Sequence, residues 1–239
     1  MKTSTEIRNG YLQFFHSKGL PVIASSSLIP HSDPTLLFTS AGMVQFKANF
    51  LGIDDSLKNA TTCQKCVRTT DIDSVGFTER HLTFFEMLGN WSLGDYFKQE
   101  MVGWSYEFLT SPKYLGLDKN KLAVTAFAGN DLVPRDDLTA SLWEKAGIAK
   151  ENIYFLPDNW WILGSGVGPC GADTEMFIDT GKPKCSPNCN PSCDCGKFLE
   201  IWNDVFMEYK ANADKTVEPL KQKNVDTGMG LERSLCVLN

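Results

Sequence analysis

The sequence predicts an α+β fold, and three stretches predict it. Residues 62–96 hold two extended runs joined by a polar loop, the pattern of a long β-hairpin. Residues 121–157 alternate strand, helix and strand. Residues 197–210, KFLEIWNDVFMEYK, read as a long strand, and the chain then closes on a helix-forming segment. With 239 residues and 42% of them apolar, the chain can bury a core in one large domain or two small ones.

The elements follow in order. Thr3 and Glu6 make a capping box for a first helix, whose Ile7, Tyr11, Phe14 and Phe15 recur at helical spacing as far as Lys18 and Gly19. The next segment is broken by serines and by Pro30 and Pro34; strands or extended segments are expected near Val22 to Ala24 and Leu36 to Thr39, then a helix from about Gly42. After the hairpin, KQEMVGWSYEFLTSP is an amphipathic helix, KLAVTAFAG a strand, DDLTASLWEKAG a helix opened by acids that suit its dipole, and NIYFLP a strand. Gly164, Gly166, Gly168 and Gly171 follow the paired Trp160 and Trp161 and would let backbone approach a ligand; paired tryptophans are otherwise core. A strand with alternating Glu175, Phe177 and Asp179 comes next. Near the end, Asp226 or Thr227 is expected to cap a helix with Leu231, Leu235 and Leu238 on its buried stripe and Arg233 pointing away.

Charge excludes one class of partner. A net charge of -6 and a pI near 5.1 leave no basic surface that binds nucleic acid by phosphate neutralisation alone. The first residues lack the apolar core of a signal peptide, and no run approaches the roughly 18 apolar residues of a membrane span. A cytoplasmic protein without a membrane partner is therefore expected, and its 8 cysteines are expected as thiols or metal ligands rather than disulfides.

The hairpin carries chemistry. Its second run places His81, Thr83, Phe85 and Met87 on one face, and Arg68 stands at the end of the first run. An arginine that can fork onto phosphate oxygens beside a flat ring on which a base can stack suits a nucleoside triphosphate; a surface arginine over core aromatics is the structural alternative. Far down the chain, Asn203 interrupts the otherwise apolar row Ile201, Val205 and Met207, with Glu200, Trp202, Asp204 and Phe206 on the opposite face. A buried amide there needs a partner, from backbone or from a ligand. Gly228 and Gly230 sit where the last helix begins, leaving N–H groups open to an anion or substrate.

Longer motifs run through these residues. SSSLIPHSDPTLLFTSAGM with Pro30, CVRTTDIDSVGFTERHLTFFEMLGNWSLGDYFK and NVDTGMGLER resemble the three motifs of class II aminoacyl-tRNA synthetases, and FFEMLGN, EIWNDVFM and VDTGMGLER resemble the alanyl members. The likeness covers nearly the whole chain. It implies an antiparallel sheet flanked by helices with the active site on one face, spanning 1–239 as a class II catalytic domain with a Cys-rich insertion at about 182–197. It also implies a catalytic and ATP-binding role for Arg68 (α-phosphate) and Arg233 (second adenine face and γ-phosphate), with His81 and Phe85 completing the ATP site. Trp161, Val205 and Gly228 would line the alanine side-chain pocket, with Asn203 at the carboxylate and Asp226 at the ammonium.

The implied reaction is ATP-dependent activation of L-alanine with Mg²⁺. Transfer to tRNA-Ala is expected of a full-length enzyme and is expected to be weak or absent for this chain, which ends just after the third motif without helical tRNA-recognition, editing or C-terminal regions. A freestanding relative loading alanine onto another acceptor, and a non-catalytic binding module, are the alternatives. The chain departs from the family pattern at Leu82, where a second His is usual, and at Ala172, where Pro is usual. Because Leu82 falls on the strand face opposite Phe85, little effect on ATP is expected.

Cys185, Cys189, Cys193 and Cys195 give C-x3-C-x3-C-x-C in a Pro- and Asn-rich loop. Four soft ligands so close together suit a structural Zn²⁺, with free thiols as the alternative because the spacing is not a pair of C-x2-C knuckles. Cys63 and Cys66 read as free thiols, Cys170 and Cys236 as buried structural cysteines.

Overall fold

The computed structural model describes residues 1–30, 36–78, 80–163 and 166–239. Residues 31–35 of the first motif (Pro34 among them), Glu79 of the hairpin loop and Gly164 of the glycine-rich turn therefore lie outside the described residues. Helix α1, Ser4–Ser17, opens on the expected capping box: the Thr3 hydroxyl accepts from the Glu6 N–H while the Glu6 carboxylate accepts from the Thr3 N–H. Ile7, Tyr11, Phe14 and Phe15 are its buried stripe.

The two segments expected next as strand or extended chain add no strand to the sheet. Val22 makes a single bridge to Thr61, and the Thr39 N–H reaches the Leu28 carbonyl. Serines here bond locally, Ser27 Oγ accepting from the Ile29 N–H, which competes with a strand ladder. A tight 3₁₀ turn at Gly42–Phe46 leads into the one-turn helix α2, Lys47–Phe50.

Strands β1 (Asn59–Val67) and β2 (Phe84–Leu93) pair antiparallel as the expected hairpin, with a 3₁₀ turn at Thr69–Ser74 between them. The second strand begins at Phe84 rather than His81. Thr78 Oγ1 accepts from the His81 N–H, a local turn that keeps His81 out of the ladder. Helix α3 (Lys98–Thr110), β3 (Leu122–Phe127), α4 (Asp137–Ala146) and β4 (Ile153–Leu156) follow as expected. Asp136 caps α4, and Gly147 ends it at φ 117, a left-handed conformation that a Cβ would oppose.

The remaining strands are β5 (Trp160–Ile162), β6 (Gly168–Asp179), β7 (Phe198–Ala211) and β8 (Val217–Gly230), before the last helix α5 (Leu231–Leu238). Asp226 and Thr227 are strand residues rather than caps; the helix starts one turn later, with Gly230 as its N-cap. The eight strands form one sheet in the order β1-β2-β8-β7-β6-β3-β4, with β5 on β6, antiparallel except for β3 and β4.

One face of the sheet carries the main core, where Tyr11, Phe15, Phe108 and Trp143 of the helices meet Leu88, Trp202, Phe206 and Met229. The other face holds a smaller cluster in which Met43, Phe46 and Phe50 cover Trp91, Val205 and Met207. Beside that cluster lies a cleft lined by residues near the ends of β2, β7 and β8. No helix among the described residues is long and apolar enough to cross a membrane.

Candidate active site

Arg68 follows β1. Its Nε donates to the Ser40 carbonyl at 3.1 Å, and its guanidinium carbon stands 5.1 Å from the centroid of the Phe85 ring. The backbone contact fixes the arginine over the ring, on the wall of the cleft. Arg233, in the first turn of α5, faces the same space. Its Nη1 pairs with the Glu200 carboxylate at 2.8 Å, while Nε and Nη2 donate to the Arg80 carbonyl at 3.0 and 2.7 Å. Both guanidinium groups line one cavity of about 450 Å³, a volume usual for small-molecule sites.

The floor is built by β7 and β8. Val205 pairs with Asp226 and Asn203 with Gly228, so two ladder steps bring four of the expected residues side by side. Trp161 of β5 closes one wall. A Cβ on Gly228 would stand 3.0 Å from Met87 Sδ, so the missing side chain keeps the floor open. The Asp226 carboxyl is buried, and burial pushes its pKa up to about 7 although Trp91 Nε1 donates to it at 2.7 Å. Asn203 Oδ1 is buried with no partner among the described residues, which is costly unless a ligand supplies one.

The family profile of tRNA synthetases class II (A) matches residues 6–239. The chain belongs to the class II (A) tRNA synthetases. It is 55% identical to an alanine–tRNA ligase of Treponema denticola, over 99% of this chain and 40% of the relative. It is 57% identical to that of Elusimicrobium minutum, over 96% of this chain and 26% of the relative. The chain thus spans less than half the length of these relatives. Among solved structures, apo S. aureus histidyl-tRNA synthetase aligns with TM-score 0.56 at 10% identity, over 98% of this chain and 65% of that one. An ATP phosphoribosyltransferase regulatory subunit/histidyl-tRNA synthetase from Bacillus halodurans C aligns with TM-score 0.57 at 10% identity, over 99% and 79%. At that identity the likeness shows the fold, the flanked antiparallel sheet expected of class II synthetases.

One expectation for this synthetase chain needs correction, at Leu82, and one expected residue, His81, stands apart from the cavity. His81 is not among the residues lining the cleft; its Nδ1 lies 2.7 Å from the Thr78 hydroxyl. Leu82, expected on the far side from Phe85, lines the same cavity, because strand alternation has not begun at that residue.

Strand counting also missed Glu200. Met176 pairs with Trp202 and Phe177 with Glu200, so Ile201 is a β-bulge that swings Glu200 onto the cleft side beside Arg233. Behind it on β6, burial pushes Asp173 up to about 7, and burial together with the Glu200 charge pushes Glu175 up to about 8. Arg80 and Trp91 were likewise unread. Each acts through a cross-strand or cross-loop contact that local pattern does not encode.

In the Cys-rich loop all four cysteines are free, and their sulfur atoms lie within 4.8 Å of one another. Cys185 Sγ and Cys193 Sγ are 3.7 Å apart, and Cys189 Sγ and Cys195 Sγ 3.6 Å. A tetrahedral Zn²⁺ with bonds of about 2.3 Å has S···S edges of about 3.8 Å, whereas a disulfide needs about 2.05 Å, so the geometry fits thiolates around a metal. The remaining cysteines are also free. Burial pushes Cys63 and Cys66 up to about 12 and Cys170 up to about 11, which keeps them protonated. Cys236, expected to be buried, is exposed on α5.

Proposed function

We propose that this chain activates L-alanine with ATP, forming alanyl-adenylate, as the catalytic domain of an alanine–tRNA ligase. The observation that supports it is a single cavity lined by Arg68 over Phe85, by Arg233, and by Asp226 at its floor. In this reading Phe85 stacks the adenine, with Arg233 across it and reaching the γ-phosphate. Arg68 meets the α-phosphate. Asp226 receives the alanine ammonium and Asn203 its carboxylate end, while Trp161, Val205 and Gly228 enclose the methyl group.

A carboxylate oxygen of alanine then attacks the α-phosphorus, the bond to the bridging oxygen breaks, and pyrophosphate leaves. No protein side chain forms a covalent bond; orientation and positive charge lower the barrier. Mg²⁺ bound to the triphosphate would neutralise charge there, beside a Glu200 carboxylate that already pairs with Arg233 Nη1 at 2.8 Å. The four cysteines of the β6–β7 loop hold a structural Zn²⁺ in this reading. In a full-length enzyme, tRNA-Ala accepts the alanyl group.

Alanine-dependent exchange of labelled pyrophosphate into ATP tests the proposal. Exchange is expected with alanine, and more weakly with glycine and serine, because a small pocket excludes neither strongly. Exchange no higher with alanine than without it would overturn the proposal.

A further inference from the structure

We infer that the Cys-rich loop is a positioning device for ATP: by holding a zinc ion it fixes both groups that hold Arg233. The inference rests on the zinc and alanine-activation readings above.

The loop joins β6 to β7, whose ends pair at Asp179 and Phe198. It has little apolar matter to order it, most of its residues being exposed, with Cys189 and Pro191 the buried ones from Gly181 to Cys195. Four metal–thiolate bonds would supply the order that burial does not.

Two routes lead from this loop to Arg233. Along the first, Asp194, between two of the cysteines, accepts from Arg80 Nη2 at 2.5 Å, and the Arg80 carbonyl in turn accepts two hydrogen bonds from Arg233. Along the second, Lys197 pairs with Asp179 at 2.6 Å across the base of the hairpin. That base sets the position of Glu200, whose carboxylate and carbonyl receive Arg233 Nη1 at 2.8 and 3.3 Å. The guanidinium is therefore held by groups from two segments, each anchored to the same four-cysteine loop. The floor of the alanine pocket, at Val205 and Asp226, lies farther along β7 and on β8 and has no such tie.

The Asp194–Arg80 pair is largely exposed, with side-chain exposures of 80% and 41%, so its own effect is small. Metal loss releases both routes and acts more strongly.

The test uses this chain purified under reducing conditions, with zinc measured by elemental analysis, affinity for a non-hydrolysable ATP analogue by calorimetry, and both KM values by pyrophosphate exchange. One zinc per chain is expected. Stripping it with a chelator weakens ATP binding by about tenfold or more, as loss of charge-assisted hydrogen bonds does, and adding zinc back restores it. KM for alanine stays unchanged. Asp194→Ala keeps its zinc and raises KM for ATP by about threefold, with kcat and KM for alanine unmoved, and Asp194→Glu recovers most of the loss.

The Asp194 variants leave all four thiols in place and so remain decisive even if the stripped chain unfolds. Reduced protein with less than about a tenth of an equivalent of zinc overturns the inference, as does Asp194→Ala with the parent KM for ATP. Failure of the underlying activation reading looks different: a zinc-loaded chain that binds the ATP analogue but shows no alanine-dependent exchange.

Discussion

The proposed recognition of alanine turns on one buried carboxyl, Asp226. In the empty cleft burial lifts it to about 7, so at neutral pH it is shared between the acid and the carboxylate. In the proposed reading alanine binds the carboxylate, and a proton must leave before it can do so. Affinity for alanine is therefore expected to fall by about tenfold between pH 8 and pH 6, because the carboxylate fraction falls from about 0.9 to about 0.1 over that range. A KM for alanine that is flat over this range would mean that the ammonium is met elsewhere. Asp226→Asn keeps an oxygen for the Trp91 N–H and removes only the charge. It should raise KM for alanine by about 10- to 100-fold while ATP binding is unchanged, which paired exchange and calorimetry would check. The acid itself was legible in the sequence. Its indole partner was not, because Trp91 and Asp226 meet only through the β2–β8 register, which neither strand's alternation records.

At the scale of elements, alternation carried the reading as far as strands are regular. Asn203 and Val205 fell on one face as expected, but the bulge at Ile201 reversed the face of Glu200, and nothing in KFLEIWN announces a bulge. The hairpin was legible where β1 and β2 pair and failed where the turn overrides the ladder, at His81 and Leu82. The outer half of β8 gave no signal: it carries Pro219 and an exposed polar run, and pairing with β7 makes it a strand.

The docking of the helices was equally hidden. Lys98, 5% exposed, joins the N-terminal turn of α3 to the Asp136 cap of α4 at 2.8 Å and to Glu208 of β7 at 3.0 Å. Lys98→Met would leave the buried Asp136 carboxylate without its cation, while Glu208 keeps Lys223 at 2.9 Å, and should lower the unfolding free energy by about 3 kcal/mol. Urea unfolding measures it; a loss below about 1 kcal/mol would show that the triad does not dock the helices.

Across the whole molecule the acids divide into two sets with opposite effects on stability. Glu86, hydrogen-bonded by Arg8, is held below its ordinary range, so its contribution is present above the unfolded pKa near 4.3 and is lost as pH falls through the folded value. Asp173, Glu175, Asp204 and Asp226 are raised by burial. Their protonated forms suit the fold, so stability is full below their unfolded values near 4 and is lost as pH rises through folded values that reach about 7 and 8 for Asp173 and Glu175. Between the two sets the free chain should be most stable near pH 5, with a melting temperature that falls by several degrees towards pH 8. Of these acids Asp226 lines the cleft, where an ammonium would bind, whereas Asp204 accepts from Ser105 of α3 on the other face of the sheet. Alanine with ATP should therefore recover part of the loss at pH 8 and little at pH 5, where the carboxyls are already neutral. Scanning calorimetry at the two pH values decides it: a melting temperature that climbs steadily to pH 8 without ligand would mean that these carboxyls are charged and already paired in the empty protein.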